Sequence, residues 1–177
     1  MDGETAAWTE ILRPGLAVVF VGYNPSLPAW RTGHYYANPG NRFYRLLHDS
    51  GLTPHLLTPA EDRSLPDFGI GLVDLVAEPS ARADQLTPAQ YRAAVPALRA
   101  KLEAAAPKAV CCNGIRVFRH LFGAQPTRLG LQPGLTLGRS AVFVVPSTSG
   151  LVNGRSAERL AAFQELAVWL RKAAHGP

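Results

Sequence analysis

The sequence is poor in cysteine and has no long apolar run, and each shortage excludes a class of protein. Its only cysteines, Cys111 and Cys112, are adjacent, so they predict buried strand residues rather than a disulfide framework or a zinc or iron–sulfur site. The longest apolar stretch near the N-terminus, residues 16–21, is too short to span a membrane and follows acidic residues, unlike a signal peptide. We therefore expect a cytoplasmic protein without a metal or a cofactor.

Lysine is scarce too, and the charges are unevenly distributed. Fifteen of the 18 basic residues are arginine, whose planar guanidinium matches phosphate oxygens. Residues 1–107 hold nine basic and eleven acidic residues, whereas residues 108–177 hold nine basic and two acidic ones. A basic surface on one side suits a polyanion such as nucleic acid. A GC-rich genome, which favours arginine over lysine, is the alternative explanation.

Apolar runs and capping residues alternate along the chain as strands and helices. We predict strands near residues 16–21, 69–76, 109–112 and 141–145, with a hairpin beginning near 135–137. We predict helices over residues 6–12, 41–48, 87–105, 115–121 and 156–173, and a shorter one after Thr58. This order predicts a single α/β domain over residues 1–177, a three-layer α/β/α sandwich around a central, mainly parallel sheet.

Two long loops, residues 22–40 and 146–154, follow predicted strands, where ligands bind in sheets of this kind. The first begins with GYNPS, which places Asn24 at the end of the sheet with an amide that can read a pyrimidine edge or hold a water. A plain Asx turn explains Asn24 equally well. Tyr36 offers a stacking platform for a base, or else lies on the core together with Tyr35. Asn41 and Arg42 precede a helix, where they either approach a phosphate or only cap the helix.

The second loop, PSTSGLVNGR from Pro146 to Arg155, combines small hydroxyl residues with one apolar side chain. Small hydroxyls can clasp a phosphate without crowding it. Leu151 is the kind of aliphatic residue that enters a base stack as a wedge, although taken alone it is better explained as a residue that staples the following helix.

These segments together resemble the mismatch-specific uracil/thymine-DNA glycosylases, family 2 of the uracil-DNA glycosylase superfamily. The likeness runs from about residue 11 to about residue 170 and rests on four motifs in the same order and spacing. They are residues 22–26 (GYNPS), 32–33 (TG), 38–43 (NPGNRF) and 146–151 (PSTSGL). The fold implied is uracil-DNA glycosylase-like.

The resemblance implies a role for each motif residue. Asn24 matches the active-site asparagine, and Tyr36 matches the aromatic residue that stacks on the base. Backbone N–H groups of Tyr23 and Tyr36 are expected to bind the pyrimidine, with Leu151 as the wedge. The remaining implied contacts are with the base, from Ser26 and Ser147, and with DNA, from Asn41, Arg42, Thr148, Ser149, Gly150 and Arg155.

Two serines depart from patterns seen elsewhere in the superfamily. Ser147 stands where some relatives have asparagine or histidine, and it cannot stabilise the leaving base as histidine does, which implies slower chemistry. Ser26 stands where the strict uracil enzymes carry a bulky aromatic residue that crowds a 5-methyl group. One methyl group in a pocket is worth about 1–3 kcal/mol, so we expect weak exclusion of thymine.

Asp74 is the one acidic residue that interrupts an apolar run, IGLVDLV, where burial penalises a lone charge. We hypothesise that Asp74 activates water or stabilises the sugar cation together with Asn24. A capping role at the strand end, or an ion pair with an arginine, is the alternative. Close relatives carry lysine or asparagine at this position.

The sequence thus predicts a monofunctional DNA glycosylase that flips uracil, or a similar pyrimidine, out of a G mismatch and initiates base excision repair. No lysine is placed as a Schiff-base nucleophile, so strand cleavage is not expected. The expected partner is double-stranded DNA with a mismatched or damaged pyrimidine, and single-stranded DNA is a second possible substrate. We expect a monomer, which is nucleoid-associated if the protein is bacterial. The alternatives are a non-catalytic mismatch-binding module and a nucleotide-binding hydrolase, although a phosphate-binding GxxxxGK[ST] loop is absent.

Overall fold

The computed structural model describes residues 8–81, 85–149 and 155–176. These residues form one sheet with helices on both of its faces. Two predicted DNA-binding residues, Gly150 and Leu151, lie outside the described residues.

Five strands build the sheet in the order β2-β1-β3-β5-β4. They are β1 (Val18–Gly22), β2 (Ile70–Asp74), β3 (Ala109–Asn113), β4 (Gly130–Leu137) and β5 (Ser140–Val145). All neighbours are parallel except the edge strand β4, which runs antiparallel to β5. Every residue of the first three strands is buried except Asp74, as expected for parallel strands covered on both faces. The predicted mainly parallel sheet is confirmed.

The helices lie close to their predicted positions, except for the first, which was not predicted. They are α1 (Leu27–Thr32), α2 (Phe43–Asp49), a 3₁₀ helix (Pro59–Phe68), α3 (Pro88–Ala105), α4 (Ile115–Phe122) and α5 (Ser156–Ala174). The start of α3 follows from its sequence: Thr87 Oγ1 accepts from the backbone N–H of Gln90, and Pro88 occupies the first turn, where its missing N–H costs nothing.

The two faces of the sheet hold separate apolar clusters. On one face, Phe20 of β1 packs against Phe43 of α2 and Phe163 of α5, with ring centroids 5.1 and 5.6 Å away. On the other face, Val19 belongs to a cluster with Leu102 of α3 and other residues of α3 and α4. The three-layer α/β/α prediction is confirmed, and the two cysteines are buried and free, as expected.

Three element predictions are wrong. Residues 8–12 are not helical, because Ile11 exchanges two backbone hydrogen bonds with Leu72 (2.9 and 2.8 Å) and so covers the edge of β2. The loop over residues 22–40 contains α1, which is too short to show a periodicity and is capped by Ser26. The hairpin strand starts at Gly130, before a bulge that hides its alternation.

Within the described parts of the chain, no helix is long and apolar enough to cross a membrane. The same residues contain no group of three or more side chains that could hold a metal ion.

Candidate active site

The carboxyl ends of the four parallel strands border one cavity of about 500 Å³, called here the main cavity. This volume is within the usual range for small-molecule sites. Each strand contributes the residues at or just after its end: 22–26 from β1, Asp74 from β2, 113–116 from β3 and 146–149 from β5. The predicted site residues that the cavity brings together are Tyr23, Asn24, Ser26, Tyr36, Asn41, Asp74, Ser147, Thr148, Ser149 and Arg155.

Asp74 is the acidic residue of the main cavity. Its Oδ2 is enclosed and has no hydrogen-bond partner among the described residues, so the alternative of an Asp paired with an arginine is not realised there. Burial raises the pKa of Asp74 to about 8; the indole N–H of Trp8 offsets this rise in part, and the negative charge of Glu10 adds to it. A carboxyl group with such a pKa can accept or return a proton near neutral pH.

Gly22 makes room for Asp74 and Tyr36. A Cβ atom at Gly22 would lie 2.5 Å from Asp74 Oδ1 and 3.0 Å from the Tyr36 hydroxyl. The carboxylate and the phenol therefore converge over the Cα atom of Gly22, at the point where β1 and β2 end side by side. Any larger residue in the first position of the GYNPS motif would displace one of the two groups.

Asn24 is held by the loop that follows β2. Its Nδ2 donates to Ser80 Oγ at 2.7 Å and to the carbonyl oxygen of Glu78 at 2.9 Å. Its Oδ1 receives no donor from the described residues, and so this atom is the one available to a water or to a base N–H. The side chain of Asn24 is therefore fixed by the loop after β2, and the alternative of a plain Asx turn does not explain its position.

The loop before α2 places Tyr36 in the wall of the main cavity. Tyr36 has a φ of 57°, a left-handed conformation that is uncommon outside glycine and is often found at functional sites. The buried carboxylate of Asp62 holds this loop, accepting from the backbone N–H of Tyr35 at 2.9 Å and contacting His34 at 3.1 Å. The Tyr36 ring lies against Phe43, with centroids 4.3 Å apart, and burial, reinforced by Asp74, raises the pKa of its phenol above the usual range.

Two backbone donors near this wall are free to bind a ligand. The amide N–H groups of Tyr23 and Tyr36 donate to no acceptor in the described part of the chain. The Tyr23 ring is fixed from the far side by Tyr91, with centroids 5.0 Å apart, and by the Arg116 guanidinium 5.2 Å above it. These are the two amides that the resemblance assigns to the pyrimidine, and that assignment stays a prediction.

The loop after β5 is fixed by hydrogen bonds from neighbouring elements. Asn113, at the end of β3, forms two bonds with Thr148, donating to its Oγ1 and accepting from its N–H, both at 3.0 Å. The buried Arg159 of α5 donates to the carbonyl oxygen of Ser147 at 2.8 Å, and the Arg42 N–H donates to that of Thr148 at 3.0 Å. This half of the site is therefore rigid before any ligand arrives.

Several predicted base and DNA contacts have structural partners of their own. Thr148 is only 1% exposed, so its side chain holds the loop in shape and is not itself open to a ligand. Asn41 Oδ1 accepts from the Phe43 N–H at 2.9 Å, and Ser26 Oγ accepts from the Ala29 N–H at 3.2 Å, so both residues act as caps. Ser147 Oγ accepts from the Ser149 N–H at 3.2 Å.

Three exposed arginines surround the opening and are called here the cationic rim: Arg42, Arg116 and Arg155. Arg116 and Arg155 line the main cavity, and Arg42 follows the lining residue Asn41. Desolvation, together with the positive charges of Arg42 and Arg155, lowers the pKa of the buried Arg159, which places these three cations close together. Such a concentration of guanidinium groups at a cavity suits a phosphate backbone.

Four residues of the site were not predicted: Trp8, Asn113, Arg116 and Arg159. Asn113 carried the signal that identified Asn24 and Asp74, a polar residue at a strand end. Arg159 carried no signal, since it is one of several cations in a long helix and its burial depends on contacts with a distant loop.

The family model described as the uracil DNA glycosylase superfamily matches residues 10–171 of the chain. The match includes all four strand ends that border the main cavity.

Proposed function

The chain belongs to the uracil DNA glycosylase superfamily, whose activity is DNA glycosylase chemistry on uracil, and we propose that it is a monofunctional, mismatch-specific member. It would excise uracil opposite guanine, and thymine or other modified pyrimidines more slowly, to initiate base excision repair. The observation that carries this proposal is Asp74, a partly buried carboxyl group whose enclosed Oδ2 makes no hydrogen bond of good geometry among the described residues, in a cavity large enough for a base.

Binding begins at the cationic rim. Arg42 and Arg155 contact backbone phosphates, and the rigid loop around Ser147 and Ser149 lies against the strand opposite. The wedge role proposed for Leu151, with Gly150 beside it, falls on residues outside those described. A weakly paired uracil then leaves the stack at a cost of a few kcal/mol. This cost is lower for a mismatched base than for a correctly paired one.

The flipped base enters the main cavity and is held by three kinds of contact. The Tyr36 ring stacks on it, the free N–H groups of Tyr23 and Tyr36 bind its oxygens, and Asn24 Oδ1 accepts from its edge or from the attacking water. Donors placed where negative charge develops on the leaving pyrimidine stabilise the transition state. Base stacking adds about 1–3 kcal/mol of binding.

Water attacks C1′ as the C1′–N1 bond breaks through an oxocarbenium-like sugar. Asp74 accepts the proton of this water, and in its charged form it also stabilises the cationic sugar. At neutral pH most of the free enzyme carries Asp74 protonated, because the pKa of this carboxyl is about 8. The base-competent fraction therefore grows as the pH rises, and slow turnover near neutrality is expected.

The decisive experiment measures single-turnover excision on labelled duplexes with G·U, A·U or G·T pairs, and on single-stranded uracil DNA. We expect abasic product from G·U first and slower release from G·T, because the small Ser26 excludes a 5-methyl group weakly. No strand cleavage should accompany it. If the protein excises all uracil from a G·U duplex and, under the same conditions, excises nothing from G·T or 5-substituted uracil duplexes, the role given to Ser26 is contradicted.

The same assay tests the alternative of a non-catalytic mismatch-binding module. That module would bind the G·U duplex tightly and yield no abasic product at any pH. Product formation that depends on Asp74 excludes it.

A further inference from the structure

A smaller cavity of about 220 Å³ adjoins the main one and is called here the side cavity. Trp8, Tyr35 and Asp74 line both cavities, whereas Thr9, Glu10 and Ala77 line the side cavity alone. Ala77 is exposed and the Glu10 side chain is 33% exposed, so the side cavity reaches the protein surface. Asp74 thus lies in the wall between two cavities that both open to the surface.

The wall shared by the two cavities is polar and unsatisfied. Trp8 Nε1, the Tyr35 hydroxyl and Asp74 Oδ2 are all enclosed, and none makes a hydrogen bond of good geometry among the described residues, although the indole N–H of Trp8 is near enough to the other two groups to offset part of the rise in their pKa. Buried polar atoms are nearly always satisfied, by protein or by ordered water. Three such atoms offer the two to four polar partners that a bound water needs, so the shared wall suits water better than the wall of a dry apolar cavity does.

Hydrolysis of the glycosidic bond consumes one water and is neutral overall, because the proton lost by the water is matched by one that the leaving pyrimidine anion takes up. The C1′–N1 bond breaks, its electron pair leaves with the pyrimidine, and the water oxygen bonds to C1′ while its proton passes to Asp74. Asp74 must lose this proton before the next cycle. In the bound complex the duplex lies over the opening of the main cavity and the base fills its interior, which closes that route.

We propose that the side cavity is a solvent passage to Asp74, which admits the attacking water and releases its proton while DNA covers the main cavity. The proposal rests on the proposed function, in which Asp74 activates the water. The outer end of the passage carries the Glu10 carboxylate, which is paired with Lys101, and Thr9 beside it. A carboxylate at this point can take the proton onward to bulk water. Tyr35 and Trp8 are positioning residues, holding water in the passage without touching the substrate.

The test obstructs the passage from outside. Ala77→Phe places a ring in the side cavity without altering any residue of the main cavity, and Ala97→Phe makes the same change on the exposed surface of α3. Tyr35→Phe removes only the hydroxyl and serves as a second variant if Ala77→Phe folds poorly. Two quantities are measured for each: single-turnover excision from a G·U duplex, and affinity for a duplex containing 2′-fluoro-2′-deoxyuridine, which resists cleavage.

We expect Ala77→Phe to excise about tenfold more slowly than Ala97→Phe, a smaller loss than the roughly 100-fold or more for removing the base itself. Tyr35→Phe is expected to slow excision as well, and both variants keep wild-type affinity for the 2′-fluoro duplex. Wild-type excision by folded Ala77→Phe and by Tyr35→Phe would overturn the passage, even where Asp74→Asn is inactive and the proposed function stands. Absence of excision by the wild-type protein would instead remove the proposed function, and the passage with it.

Discussion

The two halves of the main cavity are built in opposite ways. Around the ends of β1 and β2, Asp74 Oδ2 and the Tyr36 hydroxyl are enclosed and make no hydrogen bond of good geometry among the described residues. Around the ends of β3 and β5, Asn113 and Thr148 satisfy each other and Arg159 holds the loop from beneath. Unsatisfied groups cost stability and are kept where they react, whereas satisfied groups keep a surface in a fixed shape.

This contrast separates chemistry from DNA binding. Changes to the reactive polar groups of the β1–β2 half should slow excision and leave binding nearly intact, and changes in the β3–β5 half should do the reverse. The variants below test this separation, beginning with the largest effect.

Asp74→Asn should have the largest effect. Asparagine keeps the shape of the side chain but cannot accept the proton from water, so single-turnover excision from G·U should fall by about 10²–10⁴-fold. Affinity for a 2′-fluoro-uracil duplex should stay near the wild-type value. Asp67→Asn, at an exposed carboxylate of the 3₁₀ helix, is the matched control and should change neither quantity. Wild-type excision by Asp74→Asn would leave Asn24 as the water-activating residue.

Asn113→Ala should act on the other half. The change leaves the N–H and hydroxyl of the buried Thr148 without partners, so the free energy of unfolding should fall by about 1–3 kcal/mol. DNA affinity should weaken as the loop loses its shape. Urea unfolding and duplex binding measure the two effects, with Gln164→Ala on the exposed face of α5 as the control. A stable variant with normal affinity would contradict the rigidity of this half.

The cationic rim should control the salt dependence of binding. Arg42→Ala and Arg155→Ala should each reduce the slope of log affinity against log salt concentration by about one, as expected for one lost phosphate contact. Excision at saturating protein should be unchanged. Arg139→Ala removes the same charge from the β4–β5 turn at the opposite end of the sheet. A slope that changes equally in Arg139→Ala would remove the rim from the DNA interface.

Tyr36 should give the smallest effect when only its hydroxyl is removed. Tyr36→Phe keeps the ring that stacks on the base, so we expect a loss of excision of less than about tenfold, the equivalent of one hydrogen bond. Tyr36→Ala also removes the stacking and should cost about 1–3 kcal/mol of base binding. The ratio between the two variants, measured with the 2′-fluoro duplex, separates ring from hydroxyl. Equal losses would mean that stacking contributes nothing.

Much of the fold could be predicted from the sequence because its signals are local. Apolar β-branched runs gave β1 and β5, and Thr87 with Pro88 gave the start of α3. Residues 8–12 were predicted wrongly because their pairing with Leu72 depends on the edge of a sheet that forms from distant residues.

The candidate site divides in the same manner. Asn24 and Asp74 could be found because each is a polar residue where an apolar strand ends. Trp8 and Arg159 could not, since their placement depends on contacts with Asp74 and with the loop after β5 that only the folded chain brings near. The side cavity could not be predicted either, because it lies between the N-terminal stretch and the loop after β2.

The pH dependence of kcat/KM for uracil excision from a G·U duplex tests the central claim most directly, because this quantity reports the ionisation of the free enzyme. Burial raises the pKa of Asp74 to about 8, and the base is active only when deprotonated, so kcat/KM should rise with pH through a midpoint near 8. Asp74→Asn should lose this ascending limb together with most of its activity. A rate that does not change with pH in the wild-type protein, or an ascending limb that persists in Asp74→Asn, would contradict the assignment of Asp74 as the base.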